Sequence, residues 1–264
     1  MGKFDGFLIC SDMDGTFDCG GDTVAVNLDA IKYFTDNGGR FTFATGRMVS
    51  HLYNLKLNNV INAPACLCNG GIVYDYKTES IIYEKRVDFT MQEFLEIIKG
   101  YLTLDIEMRM IYNPSHNHSE PLNFSDVKNL SYDMLNVKPI KILCAFKTVE
   151  CADEFKNFAL HNKFFANTHI SKSWSVGVEF NSIEATKGIG MNVIKNYLGD
   201  IHTTIGIGDY ENDIPLICCA DIGVAVGNAM DEAKKVADIV LKPGTEYAIK
   251  DLIEMIESKI ESHN

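Results

Sequence analysis

No stretch of this chain approaches the roughly 18 consecutive apolar residues that a membrane-spanning helix needs, although 46% of its residues are hydrophobic. A membrane is therefore not expected as a partner. Positive charge is also scarce. Lys and Arg total 24 against 36 Asp and Glu, for a formal net charge of −12. Nucleic acid and anionic lipid select basic patches, so neither is expected as the main partner. Any anionic substrate has to be met by a local positive group or a metal. The opening "MGKFDGFLIC" turns acidic beside a short apolar run, and no signal peptide is expected from it. Position 6 is glycine rather than Ser or Thr, so the myristoylation pattern is not met.

The 8 cysteines lack the spaced pairs of a zinc site. Cys66 and Cys68 alternate on an apolar segment, Cys218 and Cys219 are adjacent, and Cys10, Cys144 and Cys151 sit among hydrophobes. They read as reduced, buried, structural thiols of a cytoplasmic protein. "HNH" at residues 116–118 lies in a polar stretch with no partner cluster and reads as a solvated loop. Trp174, the only tryptophan, reads as packing within the middle of the chain. No internal repeat and no low-complexity segment is present.

What the chain does contain is an alternation of short apolar strands and amphipathic helices at both ends. "GFLICS", "RFTFAT" and "PACLCN" are continuous apolar runs, the mark of strands covered on both faces. Helical spacing fills residues 26–37 and 48–58, and "GIVYDYKTESIIYEK" reads as a hairpin. From Ala185 the same style resumes, with strands "TTIGIGD", "DIGVAVG" and "DIVL" between helices and a last helix from about Glu246. Between them the pattern changes to a helix, a strand, a polar stretch over 113–138, a strand, a helix and two strands, "FFANTHIS" and "SVGVEFN". The expected fold class is α/β. A Rossmann-like parallel-sheet core is made of residues 1–83 and 185–264, and an α+β cap domain of residues 84–184 is inserted into it.

Ligand sites of open parallel sheets lie outside the carboxyl ends of the strands. Here strand one runs into Asp12 and Asp14, strand two into Thr45-Gly46-Arg47, and a later strand into Gly208-Asp209 with Asn212 and Asp213 beyond. Lys187 opens the helix that follows the insertion. Converging carboxylates require a cation, and oxygen-only donors favour magnesium shared with a phosphate. Lys187 would neutralise a further anion, while the Thr45 hydroxyl and the amides at Gly46 would take phosphoryl oxygens. Gly15 permits a sharp turn beside the acids. Arg47 reads equally as a phosphate ligand or as a salt bridge at a helix start. Asp213 reads equally as metal support or as loop structure, and Asn228 as a helix cap or a site residue.

"DMDGT", "TGR", a lysine before glycine, and "GDYEND" resemble, in this order, the four motifs of the haloacid dehalogenase superfamily. "NGG" at 69–71 and "GNA" at 227–229 are similar to the Cof-type phosphatases within it. The departures are Phe17 where leucine is usual and Gly71 where alanine is frequent. The resemblance implies a magnesium-dependent phosphatase acting on a small phosphorylated metabolite, a sugar phosphate foremost, through an aspartyl-phosphate. It implies Asp12 as nucleophile and Asp14 as acid and base, with the Asp14 main-chain carbonyl on the metal. Asp12, Asp14, Asp209 and Asp213 would form the metal site. Gly15, Thr16, Thr45, Gly46, Arg47, Lys187 and Asn212 would form the phosphate site. A phosphomutase of the phosphomannomutase type shares these motifs, and a regulatory binding protein on the same scaffold is a third reading. The order of elements in 84–184 resembles a C2B cap, with Arg109 and Lys172 as candidates to set specificity. Oligomeric state and the identity of the metabolite are not legible.

Overall fold

The structure is a computed structural model that describes residues 2–102, 106–111, 122–124 and 130–262. "HNH" at 116–118 lies outside the described residues. The first strand, β1 (Phe7–Ser11), is followed by α1 (Thr23–Asp36), β2 (Arg40–Phe43) and α2 (Val49–Asn54). A small antiparallel sheet follows, made of β3 (Ala65–Leu67), β4 (Ile72–Asp75) and β5 (Ser80–Glu84). The middle of the chain carries α3 (Met91–Ile97), β6 (Glu107–Ile111), β7 (Leu122–Phe124), α4 (Tyr132–Leu135) and β8 (Lys141–Ala145). It continues with α5 (Val149–His161), β9 (Thr168–Trp174) and β10 (Gly177–Ser182). The chain ends in α6 (Lys187–Leu198), β11 (Thr203–Gly208), α7 (Ile214–Cys219), β12 (Ile222–Ala225), α8 (Asp231–Val236), β13 (Ile239–Val240) and α9 (Ala248–Ser262).

Both ends of the chain build one parallel sheet in the order β13-β12-β11-β1-β2. The continuous apolar run of β1 is explained by its central place, with Leu8, Ile9 and Cys10 fully buried. Leu8 and Cys10 join one core cluster and Ile9 the other, so each face of the strand meets apolar cover. The second five-stranded sheet, β7-β6-β8-β10-β9, is antiparallel and comes wholly from the middle segment. One of its faces is apolar. Met108, Met110, Ile142, Cys144, Val178 and Phe180 pack there with Phe94 and Phe155 in a separate core cluster. The opposite face is mixed, with Arg109, Lys141, Ser171 and Glu179 beside Ile111 and Leu143, and it turns toward the carboxyl ends of the parallel strands.

Several elements differ from the sequence reading. The helix expected over 48–58 stops at Asn54, because Lys56 takes a left-handed conformation at φ 58° and restarts the chain as a 3₁₀ turn, Leu57–Asn59. "FFANTHIS" is not one strand. Its phenylalanines belong to a 3₁₀ turn, Lys163–Phe165, capped by Asn162, and their rings pack against Phe89. The last helix begins at Ala248, after Tyr247 at φ 66° breaks the preceding turn. The polar stretch 113–138 contains β7 and α4.

Candidate active site

The two central parallel strands deliver the acids side by side. The N–H of Asp12 donates to the carbonyl of Ile207 at 2.8 Å, which continues the β1–β11 pairing one step beyond Ser11. Asp209 follows β11 directly, and Asp213 closes the turn after it. The carboxylates of Asp12, Asp209 and Asp213 have oxygens within 4.8 Å of one another. Gly15 sits against this group at φ +88°, and any Cβ there would meet Asp209 Oδ2 at 2.5 Å. Only glycine satisfies both conditions.

Lys187, wholly buried, stands behind the acids. Its ammonium donates to Asp12 Oδ1 at 2.6 Å and to Asp213 Oδ1 at 2.5 Å. Burial opposes its charge, but the Asp12 and Asp213 carboxylates outweigh this and raise its pKa. Burial, with the like charge of Asp213, pushes the Asp12 carboxyl well above its ordinary range. Asp209 is pushed up to about 6 by burial first and by Asp213 second. Asp213 has a structural task as well, since its Oδ2 accepts the N–H groups of Asp209 and Tyr210, both at 3.0 Å. It serves the loop and the cluster together.

Asp14 is placed differently. Its carboxylate is 61% exposed and held by the Arg47 fork, with Nε at 2.9 Å and Nη2 at 2.6 Å. The acidic cluster therefore comprises Asp12, Asp209 and Asp213, and the Asp14 side chain is not among its ligand atoms. The salt-bridge reading of Arg47 describes this geometry, with Asp14 as the partner. Thr45 is buried and its Oγ1 accepts the Arg47 N–H at 3.2 Å. Thr16 is buried too, and its hydroxyl lies 3.4 Å from Asp209 Oδ1 rather than on the cavity wall.

A cavity of about 330 Å³ opens over these groups. Its floor is Asp12, Asp14, Thr45, Gly46, Arg47, Asp209 and Asn212, and its roof is the mixed face of the second sheet, with Arg109, Lys141, Ser173 and Glu179 beside Ile111 and Leu143. Trp174 lines it as well and is 38% exposed, while its ring packs on Gly177 of β10, so it serves the cavity and the packing of the middle segment together. Lys172 is the opposite case. It is buried against Asp153 and the Ser175 carbonyl and does not line the cavity. Asn228 is no helix cap, since α8 is preceded by Met230. Its side chain ties the Gly15 carbonyl at 2.9 Å to the Gly244 N–H at 2.7 Å. Asn69, Lys141 and Glu179 were not distinguished as site residues by sequence pattern. The signal at Asn69 was the "NGG" turn, and at the other two a lone charge within an apolar strand.

Adjacent strand-end carboxylates around a buried lysine, beneath a second sheet, make one site of the kind a hydrolase uses. The chain belongs to the haloacid dehalogenase-like hydrolase family, which matches residues 9–253. It is 26% identical over 260 residues to a phosphoglycolate phosphatase of Methanopyrus kandleri, covering 95% of this chain and 99% of that one. It is 23% identical over 265 residues to the pyridoxal phosphate phosphatase of Escherichia coli, covering 93% and 97%. A HAD/COF-like hydrolase from Plasmodium vivax superposes with a TM-score of 0.76 at 23% identity, over 97% of this chain and 96% of that one.

Proposed function

We propose that the chain is a magnesium-dependent phosphatase that releases phosphate from a small phosphorylated metabolite, a sugar phosphate foremost, through an aspartyl-phosphate on Asp12. Residues 1–83 and 185–264 act as the catalytic core, and residues 84–184 as a C2B-like cap. The observation that carries this reading is the position of Asp12. It is the one member of the acidic cluster that both bonds Lys187 and faces the cavity floor. The free thiols, of which Cys218 and Cys219 are exposed and not buried as the sequence suggests, fit a reducing compartment, and we place the enzyme in the cytoplasm.

The donor set fits magnesium. Asp12, Asp209 and Asp213 offer only carboxylate oxygens, and one lysine offsets three charges, so a hard cation completes the balance. These residues would hold it, with the main-chain carbonyl of Asp14. Bound there, magnesium supplies charge neutralisation for the phosphoryl oxygens. Activity should vanish in excess chelator and return on adding magnesium, as read by phosphate release. Full activity without divalent cation would end the proposal.

The chain's own residues then divide the work. An Asp12 carboxylate oxygen attacks phosphorus in line, so the Oδ–P bond forms as the ester P–O bond breaks. Asp14 gives its proton to the departing alkoxide, and then takes one from the water that attacks phosphorus and frees Asp12. A phosphoryl group arriving beside Arg47 competes for the fork that now holds Asp14, which releases the carboxyl to carry a proton. Thr45, Gly46 and Asn212 hold the phosphoryl oxygens, and Lys187 holds Asp12 in the attacking position. Asp14→Asn should lower kcat about 10²–10⁴-fold with a thermal transition like that of the native enzyme, since the residue is largely exposed. Steady-state kinetics of the folded variant check this, and an unchanged kcat would remove Asp14 from the mechanism.

A further inference from the structure

The roof of the cavity carries a buried ion pair that the chemistry above does not use. Lys141 on β8 and Glu179 on β10 meet at 2.6 Å, with side-chain exposures of 6% and 2%. Both stand on the second sheet, and beyond the Ser173 hydroxyl on that sheet their bonds reach the parallel-sheet half of the chain. Lys141 Nζ donates to the Gly46 carbonyl at 3.2 Å. Glu179 Oε2 accepts from Asn69 Nδ2 at 2.5 Å, and Asn69 Oδ1 in turn accepts from Asn212 Nδ2 at 3.2 Å. The two ends of this chain of contacts, Gly46 and Asn212, lie in the two loops that flank Asp12 on the cavity floor.

Two further observations show that the arrangement is built. Gly46 leaves room for it, because a Cβ there would meet Lys141 Nζ at 2.9 Å and Asn69 Oδ1 at 3.0 Å. Asn69 is presented by a turn in which Cys68, Asn69 and Gly70 all have positive φ, at 52°, 58° and 96°. Two non-glycine residues held in the left-handed region persist only where the surroundings over-determine them, and such strain collects at functional sites. Asn181 of β10 anchors the same turn by donating to the Cys68 carbonyl at 2.9 Å.

A buried ion pair is a weak source of stability, since desolvation offsets its attraction, and apolar residues of similar size often serve as well or better. Its geometry is directional, however, and fixes a register that apolar contact leaves loose. We propose that Lys141 and Glu179 are positioning residues. Carried on the cap, they dock into the core and set the Thr45–Arg47 and Tyr210–Asp213 loops at the spacing the phosphoryl group requires. The phosphate-holding set is then complete only with the cap seated, which ties hydrolysis to closure. This rests on the phosphatase reading above, and the reacting groups are those already assigned.

The test uses the full chain, magnesium, p-nitrophenyl phosphate as substrate and inorganic phosphate as competitive inhibitor. Lys141→Met alone strands a buried carboxylate, so the paired variant Lys141→Met/Glu179→Leu keeps volume without a lone charge. A misplacement near 1 Å costs about 10²-fold in rate. The paired variant is expected to keep the native thermal transition while kcat falls about 10²-fold and the inhibition constant of phosphate rises at least tenfold. Lys141→Arg, which keeps the charge, should recover part of both losses. A folded paired variant with native kcat and native phosphate inhibition overturns the proposal. So does a variant in which only the thermal transition moves, since that is what a purely structural pair would do. A native enzyme that releases no phosphate with magnesium refutes the phosphatase reading instead, and the two failures are distinct.

Discussion

Asp12→Asn is expected to fold normally and to lose turnover on the order of 10⁴-fold or more, the scale on which removing a covalent nucleophile acts. The amide keeps the volume of the carboxylate but cannot attack phosphorus. Stability should not fall with activity. The native Asp12 carboxyl is pushed well above its ordinary range by burial and by Asp213, so the folded state carries it at a cost. Replacing it by a neutral amide relieves that cost while Asp213 still pairs Lys187 at 2.5 Å. Phosphate release and a thermal scan on the same preparation check both halves. Turnover within tenfold of the native enzyme, in a folded variant, would remove Asp12 as the nucleophile.

Lys187→Met is expected to damage stability and activity together. Lys187 is the cation bonded to both Asp12 and Asp213, and it is fully buried. Taking one partner from a buried ionic group leaves uncompensated charge, typically costing about 3–5 kcal/mol. For a chain of this size that lowers Tm by roughly 10 °C. Magnesium should restore part of the loss, because the three carboxylates still converge and a second cation can take the place of the first. Phosphate release should stay at background even with magnesium, since Asp12 is no longer held for attack. A variant as stable as the native chain in chelator would contradict the charge balance drawn here.

These acids and the lysine were legible in the sequence because each follows a recognisable structural stop. Asp12 and Asp14 stand after "FLICS", Thr45 to Arg47 after "RFTFA", and Asp209 to Asp213 after "TTIGIG". Strand ends of a parallel sheet share one edge, so a linear pattern placed distant residues together. The alternation of strands and helices likewise showed a parallel sheet built from both ends of the chain, with a different layer between.

Other residues were illegible for equally physical reasons. Lys141 and Glu179 each stand as a lone charge in an otherwise apolar strand, which by itself marks neither a partner nor a site. They face the core only because the second sheet is seated on it, and no local signal carries that fact. Trp174 looked like packing because a tryptophan usually is, and its place at the cavity depends on where β9 ends. Thr16 sits in the right motif, yet its hydroxyl is turned to Asp209, a choice of side-chain direction that spacing leaves open. Phe164 and Phe165 read as strand residues because a pair of aromatics fits a pleated surface, and Asn162 capped them into a turn instead.

The phosphoryl group is expected to pass through a covalent bond to Asp12. The most direct measurement is to quench the enzyme in acid during turnover of a substrate labelled in its phosphoryl group, and to digest and map the protein. Label is expected on the peptide that contains Asp12, stable in acid and lost in hydroxylamine, as an acyl phosphate is. Its amount should rise when Asp14→Asn slows the second step more than the first. Label on a hydroxyl residue, or sustained turnover with no protein-bound label in the native enzyme or in Asp14→Asn, would contradict it.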